Sequence, residues 1–234
     1  MGKSASTLPN MVLTLLIVTA IAGSSLGFIY QLTKAPIEAA ATAKQQEAIE
    51  LVMPGFDNDP AAEMYEIQSD EGFVLKVFPA KKEGEFIGAA IESVTNKGFS
   101  GEIRIMVGMK PNGDIVNYQI LEHKETPGLG TQMDDWFKPA EAGAEEKSRS
   151  AFFDAFYGIK AKAEGGEDTK SIIGKNPGTS RLTVRQDGGE VDAITAATIT
   201  SRAFLHAVEV AYKTFTEKAD AASSATKQEE GGAE

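Results

Sequence analysis

The sequence contains no cysteine. Disulfides, iron–sulfur ligation by this chain, thiol catalysis and a lipid-modified cysteine are all excluded by that one absence. Histidine is almost missing as well: His123 and His206 are the only two in 234 residues, and neither sits in an HExxH pattern, which argues against a zinc site. There is no GxxxxGK[ST] loop to cradle a nucleotide and no GxSxG elbow to present a hydrolytic serine. Positive charge is in deficit, with 23 Lys and Arg against 34 Asp and Glu and a formal net charge of −11. A surface of that sign repels a phosphate backbone and argues against nucleic acid as a partner. No internal repeat is visible.

Long apolar runs are also absent, with one exception at the N-terminus. Residues 4–33 carry no charge, and residues 11–32 (MVLTLLIVTAIAGSSLGFIYQL) are almost continuously apolar. About 22 residues rising roughly 1.5 Å each give a helix of about 33 Å, which matches a bilayer core of about 30 Å. A cleaved signal peptide is the alternative, with Ala22-Gly23-Ser24-Ser25 as the small-residue site. Signal peptides normally end their apolar stretch before such a site, whereas here it continues past it, so a retained anchor is the expectation. Lys3 and the α-amino group precede the span, and Lys34 beyond it is soon offset by Glu38. The positive-inside rule then places the N-terminus in the cytoplasm and the larger part of the chain outside.

The pattern divides the chain into a short cytoplasmic N-terminus (1–10), a transmembrane helix (11–32), a helical stalk (33–63), a globular domain (64–218) and an acidic, disordered tail (219–234). Residues 34–53 of this stalk and linker are alanine-rich and helix-permissive, and Pro54-Gly55 stops the helix. In the domain, GFVLKVFPA (72–80) and FIGAAIES (86–93) have strand character, and EIRIMVGM (102–109) alternates, with Ile103, Ile105, Val107 and Met109 on one face. The turn PNGD (111–114) leads from it into IVNYQILE (115–122), a hairpin. DDWF (134–137) and SAFFDAFYG (150–158) predict short helices, with Trp136 in the core. RLTVRQ (181–186) and EVDAI (190–194), joined by Asp187-Gly188-Gly189, predict a second hairpin. A last long helix carries Phe204, Val208, Ala211, Tyr212 and Phe215 at helical spacing, so one face packs on a sheet. The fold class is α+β: one N-terminal transmembrane helix, then an antiparallel sheet with packed helices.

Two stretches carry chemistry. The first is DAITAATITSRAFLHAVEVAY (192–212), where Thr195, Thr198, Thr200 and Ser201 crowd the start of that last helix together with Ala196 and Ala197. One hydroxyl suffices as an N-cap, contributing about 1 kcal/mol, and with a helix beginning near Thr200 either Thr200 or Ser201 can serve. The same groups fit a phosphate. Free N–H groups and the partial positive charge of a helix N-terminus favour an anion, the alanines leave room, and the hydroxyls add donors. Turnover is not indicated, because an activated nucleophile needs a base within reach and His206 lies about two helical turns beyond Thr198. The second stretch is HKETPGLG (123–130), a glycine-rich loop directly after the hairpin, which by itself reads equally well as a turn built on Pro127-Gly128.

VDAITAATITSRAF (191–204) resembles the flavinylation motif of the FMN-binding domain found in G subunits of Rnf complexes and C subunits of sodium-pumping NADH:quinone reductases. That motif is Asp-x-x-[Ser/Thr]-Gly-Ala-Thr, and its last threonine carries FMN through a phosphoester bond made by a separate flavin transferase. Carried onto this chain, the aspartate is Asp192, the hydroxyl Thr195 and the acceptor Thr198; Ala196 stands where the family usually has glycine. HKETPGLG is similar to the family's His-x-Glu-Thr-Pro-Gly-Leu-Gly loop, which lies against the flavin ring. Residues 98–123 and 187–195 follow the family's spacing too, and the resemblance extends from the membrane helix to about residue 216. It implies one covalent FMN per chain on Thr198. It also implies cofactor binding by His123, Glu125, Thr126, Gly128, Leu129 and Gly130 in the loop and by Thr195, Ala196, Ala197, Ile199 and Thr200 around the acceptor. No residue is implied to be catalytic by itself and no metal ligand is implied.

ITSRAF (199–204) looks more like the Rnf G subunit, and the quinone-reductase C subunit is the alternative. The resemblance implies a membrane-anchored relay flavoprotein in the bacterial inner membrane, with its domain on the periplasmic side. Its partners would be the other membrane and iron–sulfur or flavin subunits of an ion-translocating ferredoxin:NAD oxidoreductase, with a flavin transferase for maturation. From the residues alone, a non-redox anchored binding module with a well-capped helix stays open.

Overall fold

A computed structural model describes residues 7–139 and 169–230, with side chains as far as residue 217. The elements are α1 (Leu8–Val52), β1 (Tyr65–Gln68), β2 (Val74–Lys82), β3 (Glu85–Gly98), β4 (Gly101–Met109), β5 (Ile115–His123), α2 (Met133–Trp136) and α3 (Thr198–Glu230). The chain divides into two units, Met1–Gln45 and Gln46–Glu234. The first unit contains the apolar stretch of α1. Its most apolar 18-residue window has a mean hydropathy of 2.2 and no buried residue, and it is long and apolar enough to cross a membrane. Span and stalk are not separate elements, since α1 runs unbroken to Val52 with Pro36 inside it.

The second unit is built on a five-stranded antiparallel sheet in the order β1-β2-β3-β4-β5, each strand paired with its sequence neighbours. Strand alternation gives the sheet two faces. On one, Leu75, Val77, Ala89, Ile91, Ile103, Ile105, Val107 and Met109 form the main core with Ala203, Phe204, Ala207, Val208, Ala211 and Phe215 of α3. Phe204 centres this layer, stacked on Phe137 at 4.5 Å and edge-on to Tyr118 at 4.8 Å. The Tyr118 hydroxyl donates to the Met133 carbonyl at 2.7 Å, which fixes α2 against β5, and burial pushes its pKa far up.

The other face is covered by the end of α1. Ala48, Ile49, Val52 and Met53 bury with Phe78, Ala80, Ala90 and Met106 in a second apolar cluster. Gly108 makes that approach possible, because a Cβ there would lie 2.0 Å from the Val52 carbonyl oxygen. The unit that holds the sheet begins at Gln46 and so includes the last residues of α1.

Two expectations change. Residues 181–194 do not form a hairpin: Arg185–Asp187 coil into a 3-10 turn, and the segment's one bridge is a parallel one between Val184 and Val191. Apolar alternation there reflects Leu182, Val184, Val191 and Ile194 reaching the core from a folded loop rather than from paired strands. The last helix begins at Thr198, not near Thr200. It runs on to Glu230. The aromatic segment 150–158 lies outside the described residues.

Candidate functional site

The start of α3 is reached through a tight turn. Ala197 N–H donates to the Ile194 carbonyl at 3.0 Å, and Ala196 takes the left-handed conformation with φ 61°. This explains why a glycine suits the position, since a left-handed φ is free for glycine and costs an L-residue about 1–2 kcal/mol. The helix then begins at Thr198 with Ala197 before it, a residue that has no side-chain oxygen to offer as a cap.

The four hydroxyls consequently do different things. Ser201 is buried, with its Oγ donating to the Ala197 carbonyl at 3.0 Å and accepting the Ile194 N–H at 2.9 Å. Thr200 is also buried, and its hydroxyl donates to Glu125 Oε2. Neither acts as the N-cap. The hydroxyls of Thr195 and Thr198, and the backbone N–H groups of Thr198, Ile199 and Thr200, have no hydrogen-bond partner among the described residues.

A cleft of about 320 Å³ opens at this point, lined by Phe99, Glu125, Thr126, Leu129, Gly130, Ala196, Ala197, Thr198, Ile199 and Thr200. Two segments far apart in sequence meet there, namely the loop after β5 and the first turn of α3. Of the positions the sequence singles out, the cleft gathers Glu125, Thr126, Leu129, Gly130, Ala196, Ala197, Thr198, Ile199 and Thr200. His123, Gly128 and Thr195 are not among its walls. His123 ends β5, and its Nδ1 accepts the Glu125 N–H at 3.1 Å. Gly128, in the left-handed conformation at φ 75°, gives its N–H to Thr131 Oγ1 at 2.9 Å. Thr195 instead lines a second recess, of about 300 Å³, with Trp136, Lys170, Arg185, Gln186, Asp192 and Ala193.

Asp192 anchors that second side. Its carboxylate accepts from Thr169 Oγ1 at 2.5 Å and faces Arg185 Nε at 3.2 Å, while its carbonyl accepts from Trp136 Nε1 at 2.9 Å. Arg202, in the first turns of α3, grips Asp187 with two bonds of 2.7 and 2.8 Å and holds that carboxyl below the usual carboxylate range. The segment leading into α3 is thus braced from the loop side as well as from the helix. His206 is occupied elsewhere: Nε2 faces Glu71 at 2.7 Å and Nδ1 faces Thr95 at 3.2 Å, so it does not serve as a base for Thr198.

Sequence patterning does not single out Phe99. It lies in Gly98-Phe99-Ser100-Gly101 at the β3–β4 turn and reaches the cleft only because that turn folds beside α3. An aromatic residue in a glycine-flanked turn is the one local signal it gives.

The arrangement fits a phosphate-bearing aromatic ligand. Three uncapped N–H groups and a free hydroxyl stand at one end of a largely apolar cleft. Residues 98–213 match the family described as FMN-binding domain, so the class is that of proteins with an FMN-binding domain. Among relatives, the chain is 33% identical over 181 residues to the G subunit of the ion-translocating oxidoreductase complex of Haemophilus influenzae strain PittEE, covering 76% of this chain and 75% of that one. It is 31% identical over 190 residues to the protein of the same name from Shewanella piezotolerans, with 76% and 77% covered. With its Yersinia pestis namesake it shares 31% over 206 residues, covering 84% and 85%. The chain belongs to the family of G subunits of ion-translocating oxidoreductase complexes.

Proposed function

We propose that this chain carries one FMN, joined to Thr198 Oγ1 by a phosphoester bond that a separate flavin transferase makes, and that it serves as a relay flavoprotein of an Rnf-type complex. One observation carries the reading: of the four hydroxyls at the start of α3, Thr198 alone is both unpartnered among the described residues and open to the cleft. Thr200 and Ser201 are used to hold structure, and Thr195 faces the other recess. FMN supplies one- and two-electron transfer chemistry when bound. The chain's part is to fix the phosphate at Thr198 beside the N–H groups of Thr198, Ile199 and Thr200, and to shield the ring with Leu129, Gly130 and Thr126. The net favourable field of the helix N-terminus supports a phosphodiester there by about 0.3–1 kcal/mol.

In this reading the chain is not an enzyme alone. It passes electrons among the other subunits of an ion-translocating oxidoreductase that couples ferredoxin and NAD to ion movement across the bacterial inner membrane. Residues 11–32 anchor it, and the positive charge at Lys3 supports a domain on the periplasmic side. The test uses the full chain expressed with a flavin transferase. A denaturing gel under ultraviolet light should show fluorescence on its band, and protease added to intact spheroplasts should remove the domain. A dark band with an active transferase contradicts the covalent flavin; full protection in spheroplasts contradicts the orientation.

A further inference from the structure

The turn between β3 and β4 brings a large apolar side chain to the mouth of the cleft. Phe99 is 67% exposed, yet it lines the same cleft as Thr198 and Ile199. A side chain so exposed contributes little to the core, but its turn is firmly held. Ser100 N–H donates to Glu125 Oε1 at 2.9 Å, and the other carboxylate oxygen of Glu125 accepts from the Thr200 hydroxyl. Glu125 is only 4% exposed. Two glycines close on the same group: a Cβ on Gly98 would lie 2.8 Å from Oε1, and one on Gly130 would lie 2.9 Å from Oε2. One buried carboxylate thus ties the aromatic turn, its own loop and the first turn of α3 together. Both of its oxygens are engaged with protein donors.

We propose that Phe99 is the aromatic wall against which the flavin ring lies, and that Glu125 is the positioning residue that holds this wall beside Thr198. The proposal rests on the FMN reading above. Offset stacking between aromatic rings is favourable, and an apolar ring on the open side would also keep solvent from the flavin. Glu125 acts through Ser100 and Thr200 and does not need to touch the ligand.

The test keeps attachment and shielding apart. The full-length chain in detergent, flavinylated by co-expression with the transferase, is weighed and its flavin fluorescence titrated with iodide. Phe99→Ala should keep the FMN mass and make the flavin more open to iodide. Phe99→Trp should also keep the mass and quench the fluorescence, because an electron-rich indole stacked on an excited flavin donates an electron to it. Glu125→Ala should lose shielding like Phe99→Ala, and Glu125→Gln should restore it, since an amide still accepts a hydrogen bond from one of the two partners. Should Glu125→Ala not fold, Thr200→Val removes one of the two ties and should raise iodide access by itself.

Unchanged iodide access and fluorescence across the Phe99 variants, with FMN on the chain, overturn the wall while leaving the FMN reading standing. If the wild type acquires no FMN, that reading falls, and free riboflavin decides about the wall; it lacks the phosphate and so reports ring contacts alone. Riboflavin binding weakened about two- to ten-fold by Phe99→Ala supports the wall. Equal binding, or none, overturns it.

Discussion

Replacing Ala196 with glycine should stabilise the domain. The left-handed backbone at φ 61° is one of two positive-φ conformations held by non-glycine residues among those described, the other being Glu83. Holding an L-residue there costs about 1–2 kcal/mol, and glycine removes that cost. Glycine also gives the unfolded chain more freedom, which takes back about 0.4–1 kcal/mol. The Ala196 side chain is exposed, so no core packing is lost. The net gain is about 0.5–1 kcal/mol, at about 2–4 °C per kcal/mol in melting temperature for a chain of this size. Urea unfolding of the full chain in detergent measures it, followed by the fluorescence of Trp136, the single tryptophan, which sits in the domain and not in the membrane helix. Ala196→Val is the counter-probe and should lose stability, because a β-branched side chain is strained at positive φ. A midpoint for Ala196→Gly at or below that of the wild type refutes the strain argument. FMN attachment should be equal or faster in Ala196→Gly, since the turn keeps its shape.

The bracing at the start of α3 can be probed in two further ways. Ser201→Ala should cost about 1–3 kcal/mol by leaving the Ile194 N–H without its acceptor in a buried place, read as a lowered urea midpoint. Asp187→Asn should flatten the acid side of the stability profile. The folded carboxyl is held low by Arg202, so its contribution is whole above the unfolded value near about pH 4 and is lost as pH falls through the lower folded value. Urea midpoints compared at neutral pH and below about pH 4 should therefore converge between wild type and Asp187→Asn on acidification, and parallel curves would refute the link.

Much of this architecture is legible in local pattern. Ile103, Ile105, Val107 and Met109 alternate in the sequence and all four are buried on one face of β4. The PNGD turn marks the β4–β5 hairpin, and the apolar run at residues 11–32 lies in a helix long enough to span a bilayer. Two motifs lead to the family. Relations between distant segments have no such local trace. Val52 packs on Gly108 across more than 50 residues, and neither position marks the contact locally. Leu182, Val184 and Val191 look like strand positions because they are buried, but the backbone between them coils. The division of labour among Thr195, Thr198, Thr200 and Ser201 depends on which residue starts the helix and on a carboxylate 75 positions away, neither of which has a local signature. Phe99 is hidden for the same reason, since the turn that carries it is tied to Glu125 through the Ser100 N–H.

The central claim is that Thr198 alone among these hydroxyls receives the flavin. Intact mass of the chain co-expressed with an active flavin transferase measures it most directly, in wild type, Thr198→Ala, Thr198→Ser and Thr195→Ala. The added mass of one FMN less water is expected on the wild type and on Thr195→Ala, none on Thr198→Ala and partial addition on Thr198→Ser, with the adduct mapping to residue 198. An unmodified wild type, or an adduct that persists in Thr198→Ala, contradicts it.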